Sequence, residues 1–188
     1  PCDFHDKEYP EIPNWEIMEG WDVKAGHSRV EKDGALDDAL NRGEEAERVI
    51  VVGAGAGGMM AAGRAAEMGA KVLLLEKTDG PGKKILISGK SRCNLTNARE
   101  LDDFISMYGP NGRFLHGVFR RFFREELLAF LMRFGVQTKV ERGGRIFPVS
   151  DDAADVVTAF RRYLASHGAG LLTGVRVTGI AVREGRVA

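Results

Sequence analysis

The feature that most restricts this chain is Gly53-Ala54-Gly55-Ala56-Gly57-Gly58, set between two segments of different character. Before it, Val49-Ile50-Val51-Val52 is a short β-branched apolar run, the pattern of a strand buried on both faces of a parallel sheet. After it, the alanines and methionines from Gly57 to Met68 predict a close-packed helix that Gly69 closes with a left-handed cap. Lys71 to Glu76 then reads as a second strand. Strand, glycine turn, helix and strand in that order form a βαβ unit. This predicts an α/β fold: a Rossmann-like domain with a parallel sheet, crossover helices and β additions.

The turn satisfies G-x-G-x-x-G through Gly53, Gly55 and Gly58. Gly53 can make the tight turn, Gly55 lets a pyrophosphate approach the backbone, and Gly58 permits close packing of helix on strand. Ala56 and Gly57 open the helix, whose unpaired first-turn amides and partial positive charge can hold phosphate without a basic side chain. Glu76 stands at the end of the second strand, 76 − 58 = 18 residues beyond the last glycine. A carboxylate there accepts hydrogen bonds from ribose hydroxyls and repels a 2′-phosphate, which disfavours NADP. The pattern alone leaves FAD and NAD both open.

Further along, Thr78 to Asn97 is glycine-rich and basic, too long for a simple turn, and is expected to be a functional loop. Phe119, Phe122, Phe123, Leu127, Phe130, Leu131 and Phe134 recur at helical spacing and predict one helix stopped by Gly135, with the aromatic stripe as its core face. Val136 to Val140 and Arg145 to Pro148 predict a hairpin around Gly143-Gly144. Ser150 is expected to cap a final helix, with Asp151 and Asp152 near its positive end and Ala153, Val156, Val157, Phe160 and Leu164 on its buried face. Leu171 to Thr173 and Val175 to Val182 read as strands, with a turn at Glu184-Gly185.

Composition narrows the partners. Lys plus Arg and Asp plus Glu are equal at 27 each, so there is no overall field to draw in nucleic acid or an anionic membrane. With no spanning apolar run and no signal peptide, a cytoplasmic address is expected. Cys2 and Cys93 are too few for a disulfide framework or a metal site. The histidines form no cluster, and nothing suggests hydrolysis. Residues 1–46 are charged, aperiodic and thinly apolar, so they are expected to be a leader or linker, and 47–188 the folded unit.

Three later segments carry a resemblance: Gly82 to Gly89, Arg92-Cys93-Asn94-Leu95-Thr96-Asn97, and Glu141 to Ser150. With the glycine turn, they resemble the aminoacetone oxidase-like and bile-acid 3-dehydro-Δ4,6-reductase-like flavoproteins of the glutathione-reductase-type FAD superfamily. The likeness runs from about Val49 to Val187. It implies an FAD-dependent oxidoreductase that moves hydride between flavin and a small organic substrate, with NAD(P)H a candidate electron donor. It further implies that the segment from Lys77 onward wraps the pyrophosphate and ribityl chain, with Lys83, Lys84, Ser88 and Arg92 as donors. Cys93, Asn94, Thr96 and Asn97 would lie near the flavin ring, and Arg142 and Arg145 would border the substrate. Val175 and Val177 would lie on the strand whose backbone reads adenine. Ser91 departs from the pattern, which has glycine there. Cys93 has no second cysteine at dithiol spacing, so disulfide-reductase chemistry is not implied. Family members continue with a substrate domain and a returning flavin segment, so the chain is expected to be an N-terminal part. The rival readings are an NAD-dependent Rossmann enzyme, a non-catalytic nucleotide-binding module, and a flavin-linked RNA-modifying protein, the last disfavoured for want of a basic stripe.

Overall fold

The computed structural model describes residues 47–183 and 186–187. The leader expected over residues 1–46 and the turn expected at Glu184-Gly185 lie outside them. β1 (Arg48–Val52) and β2 (Lys71–Leu75) pair in parallel, Val49 opposite Val72 and Val52 opposite Leu75. The crossover is α1 (Ala56–Glu67), and Gly69 leaves it at φ 94° as the left-handed cap requires. A third parallel strand, β6 (Gly170–Leu172), joins the other side of β2, with Leu73 opposite Gly170. The order β1-β2-β6 is a small Rossmann-type sheet. Helix α6 (Ala153–Ser166), amphipathic as its pattern predicts, lies against α1. Met59, Ala62, Leu74, Val156, Phe160 and Leu164 form the core between helices and sheet.

One expectation fails at β1. Its run was expected to be buried on both faces, yet Ile50 is 42% and Val52 59% exposed. Val49 and Val51 pack on the core, while the face carrying Ile50 and Val52 has no covering layer among the described residues. β1 is also an edge strand there.

A second sheet, ordered β3-β5-β4, is antiparallel. It consists of β3 (Thr96–Asn97), β4 (Thr138–Val140) and β5 (Arg145–Pro148), with a 3₁₀ turn over Arg142–Gly144 closing the expected hairpin. The expected long loop is partly ordered: it contains the one-turn helix α2 (Lys83–Ile87) and ends in β3. Between β3 and β4 in the chain run α3 (Leu101–Ser106), a 3₁₀ segment (Gly109–Leu115), α4 (His116–Phe119) and α5 (Arg124–Arg133).

The aromatic stripe therefore falls on two helices, not one. Phe123 is extended (φ −122°, ψ −144°) and starts α5 afresh, its amide donating 2.9 Å to the Glu126 carboxylate. The break lets Phe119 and Phe123 meet Phe104, at centroid distances of 5.6 and 5.2 Å. The α6 cap is also displaced. Asp152, not Ser150, accepts the Ala154 amide at 2.8 Å, because Asp151 turns the chain at φ 57° and delays the helix. Val175 to Ile180 makes no strand. Gly174 turns at φ 75°, and the Gly174 and Val175 amides bond the carbonyls of Thr78 (2.8 Å) and Glu76 (2.9 Å). Only Val182–Arg183 (β7) pairs, with Arg186–Val187 (β8). Among the described residues no helix is long and apolar enough to cross a membrane.

Candidate cofactor site

The glycine turn sits at the carboxyl end of β1, against the end of β2: the Gly53 amide donates 2.7 Å to the Leu75 carbonyl. Gly53 has φ 96°, a left-handed conformation that admits glycine at least cost. A methyl group on Gly58 would overlap the Gly53 carbonyl oxygen, so the α1 backbone rests directly on the turn. The opposite condition holds at Gly53, Gly55 and Gly57, where a methyl group would meet no other described residue within 4 Å. Gly55, Ala56 and Gly57 are exposed, the first turn of α1 carries no acidic residue, and no side chain caps it. The first-turn amides of a 12-residue helix thus stand open beside bare backbone, an arrangement that can hold an anion of pyrophosphate size.

Glu76 lies beside this turn. Its Oε2 accepts the Ala54 amide at 2.8 Å, and its Oε1 accepts both the amide and hydroxyl of Thr78 at 2.9 Å. Partial burial opposes its charge, but the Thr78 and Ala54 donors outweigh that and hold the carboxyl below its ordinary range. Glu76 is therefore a fixed carboxylate that ties the second strand to the glycine turn. Thr78 fills both acceptor sites of Oε1, whereas Oε2, with the Ala54 amide as its one donor here, retains acceptor capacity for a hydroxyl. Thr78 is a participant that sequence reasoning did not single out; its position two residues past the acid is a common self-bonding spacing. Lys77 is exposed next to it.

From the turn the chain passes through Gly82, whose amide donates 2.8 Å to the Ala54 carbonyl, into α2. Lys83 pairs with Asp79, and Lys84 is exposed. The Ser88 hydroxyl donates 2.8 Å to the Ile85 carbonyl, closing the helix. Gly89, Lys90, Ser91 and Cys93 then all adopt positive φ, at 56°, 58°, 64° and 59°. Ser91, the departure from the family pattern, thus holds the left-handed conformation that glycine favours. Cys93 is buried and free, and burial pushes its thiol up, a contact with Ser88 opposing this. Asn94 is exposed.

Arg92 is engaged with protein acids. Its Nε and Nη2 donate to Asp151 Oδ1 at 2.9 and 2.7 Å, its Nη2 pairs with Glu141, and its guanidinium lies 4.2 Å from the Phe147 ring centroid. Glu141 and Asp151 hold the guanidinium's pKa above its usual value. The partners are 49 and 59 residues away in sequence, which is why no local signal marked them. Asn97 supports the neighbouring turn, its Nδ2 donating 2.9 Å to the Gly143 carbonyl. Thr96 pairs opposite Ile146 in β3. Arg145 bonds the Arg142 carbonyl through Nε at 3.2 Å. Val175 is buried beside Glu76, while Val177 is 36% exposed on unpaired chain. The structure thus brings Gly53 to Gly58, Glu76, Thr78, Gly82 and Val175 together. Ser88 to Asn94 lies beyond α2, and Val177 stands apart from any strand.

The chain is 40% identical over 132 residues to the 3-dehydro-bile acid delta(4,6)-reductase of Clostridium scindens, covering 69% of this chain and 32% of that protein. It is 33% identical over 109 residues to the ribosomal RNA dihydrouridine synthase of Escherichia coli, covering 57% of this chain and 26% of that one. The chain spans about a third or less of the length of these curated relatives. Among solved structures, the THI4 protein of Thermovibrio ammonificans shares the fold with a TM-score of 0.51 at 17% identity, over 81% of this chain and 48% of that one. The model of the HI0933-like protein Rossmann domain matches residues 47–188. The glycine turn, the parallel sheet and this match over most of the chain agree: the chain belongs to the HI0933-like Rossmann-domain family.

Proposed function

We propose that this chain supplies the FAD-binding part of a flavin-dependent oxidoreductase that acts on a small organic substrate. The observation that carries the reading is the open backbone at Gly53, Gly55 and Gly57 beside a fixed Glu76 carboxylate. In this reading the amides of Ala56, Gly57 and Gly58 hold the pyrophosphate, Oε2 of Glu76 accepts from a ribose hydroxyl, and Val175 to Val177 run along the adenine. Lys77 and Lys84 are solvent-side donors to the same phosphates, and Ser88 to Asn94 borders the ring. FAD, when bound, supplies hydride acceptance and donation. The residues here bind it, orient it and fix the charge around it. NAD(P)H as the electron donor, and the cytoplasm as the location, belong to the same proposal.

The reading is tested by adding FAD to the purified chain and recording its visible spectrum after desalting. Retained flavin absorption is the expected result. A chain that retains no flavin but binds NAD overturns it in favour of an NAD-dependent enzyme.

One observation favours a second substrate class, namely the likeness to a ribosomal RNA dihydrouridine synthase. Equal numbers of acidic and basic residues weigh against an RNA-binding surface. A gel-shift titration with structured RNA separates the two, since salt-sensitive RNA binding by the chain would support the second.

A further inference from the structure

The segment after α2 is shaped unlike the rest of the molecule. Four of the five residues from Gly89 to Cys93 are left-handed, and three of these are not glycine. Such a run costs free energy at each L-residue, so it persists only where its surroundings over-determine it.

The surroundings are a closed ionic cluster. Arg92 lies between Glu141, at the end of β4, and Asp151, just before α6. Lys139 approaches the same acids, at 2.6 Å from Asp151 and 3.8 Å from Glu141. Two bases thus balance two acids, and Arg92 also lies over the Phe147 ring. Backbone bonds fasten the two flanks, from the Ala153 amide to the Ser91 carbonyl (2.9 Å) and from the Leu95 amide to the Ile146 carbonyl (2.8 Å). At its other end, α2 starts on the glycine turn through the Gly82 to Ala54 bond. The left-handed segment is therefore held at a set place relative to that turn, one short helix away.

We propose that Arg92 is a positioning residue. Its guanidinium is a latch, fastened between Glu141 and Asp151, that holds residues 89–93 in the shape that receives the end of the cofactor remote from the glycine turn. Arg92 itself makes no phosphate contact. This rests on the FAD reading above.

The two roles open to Arg92 differ in what its partners do. If Arg92 were a direct donor to cofactor, Glu141→Gln would free its guanidinium and leave FAD binding intact or tighter. As a latch, Arg92→Gln and Glu141→Gln each weaken FAD binding about tenfold, and the double variant is no weaker than the poorer single one. The experiment is a FAD titration of the full chain and these three variants, below their melting temperatures and with helical content checked by circular dichroism. Asp151→Asn repeats the test if Glu141→Gln does not fold. Gly63→Ala, which disturbs α1 against α6 instead, lowers thermal stability without moving FAD affinity.

Wild-type uptake of FAD with a harmless Glu141→Gln and Asp151→Asn overturns the latch and leaves the flavin reading standing. Additive losses in the double variant overturn it also. Absence of FAD uptake by the wild type overturns both.

Discussion

At the scale of single residues, two side chains carry costs or couplings that solution measurements can read. Ser91 holds φ 64° with its side chain exposed. Ser91→Gly removes the left-handed penalty and is expected to raise stability by about 1 kcal/mol, read as an increase in melting temperature. Tyr163 is buried, its hydroxyl donates 2.8 Å to Glu67, and burial together with that carboxylate pushes its pKa up to about 12. The folded state retains the phenol proton longer than the unfolded state. Its contribution is thus complete below the ordinary tyrosine pKa and is lost as pH rises from about 10 to about 12. Urea unfolding across that window should show a falling stability whose slope is shallower in Tyr163→Phe. What was legible at this scale was the role of Gly53 and Gly58 in the turn, because it follows from the strand and helix on either side; the Ala54 and Thr78 donors that fix Glu76 were not. The partners of Arg92 were not, since an ion pair across 59 residues leaves no mark on spacing.

Elements were legible where periodicity was uninterrupted. The βαβ unit, the β4-β5 hairpin and α6 emerge from alternation, β-branching and helical spacing alone. The aromatic stripe misled because Phe119 and Phe123 satisfy helical spacing across a break that Glu126 creates by accepting the Phe123 amide. Helical spacing runs on across the break, yet Phe119 and Phe123 pack with Phe104 while Phe130 and Phe134 pack with Tyr163. The seating of α1 supplies the prediction at this scale. A methyl group at Gly58 would overlap the Gly53 carbonyl, and one at Gly63 would overlap the Tyr163 ring, which Phe130 and Phe134 confine at 5.0 and 5.3 Å. Both Gly58→Ala and Gly63→Ala are expected to lower stability by about 1–3 kcal/mol in denaturant melts. Only Gly58→Ala, which displaces the glycine turn, should also abolish FAD uptake.

For the molecule as a whole, a parallel sheet and an antiparallel sheet are joined by α2, α6 and the Arg92 cluster. The α/β class was readable in the sequence. The bareness of one side of β1 among the described residues was not, because an apolar run states what a strand needs and not whether that need is met. With Ile50 and Val52 exposed on a strand that forms an edge among the described residues, concentration-dependent association is expected, and Val52→Lys should suppress it in sedimentation measurements. That same strand has a pairing edge that a second polypeptide can fill. A polypeptide bringing one parallel strand with an apolar cover would add to β1 as the last stave closes a cask, and the yield of folded material would then rise with the supply of that second piece.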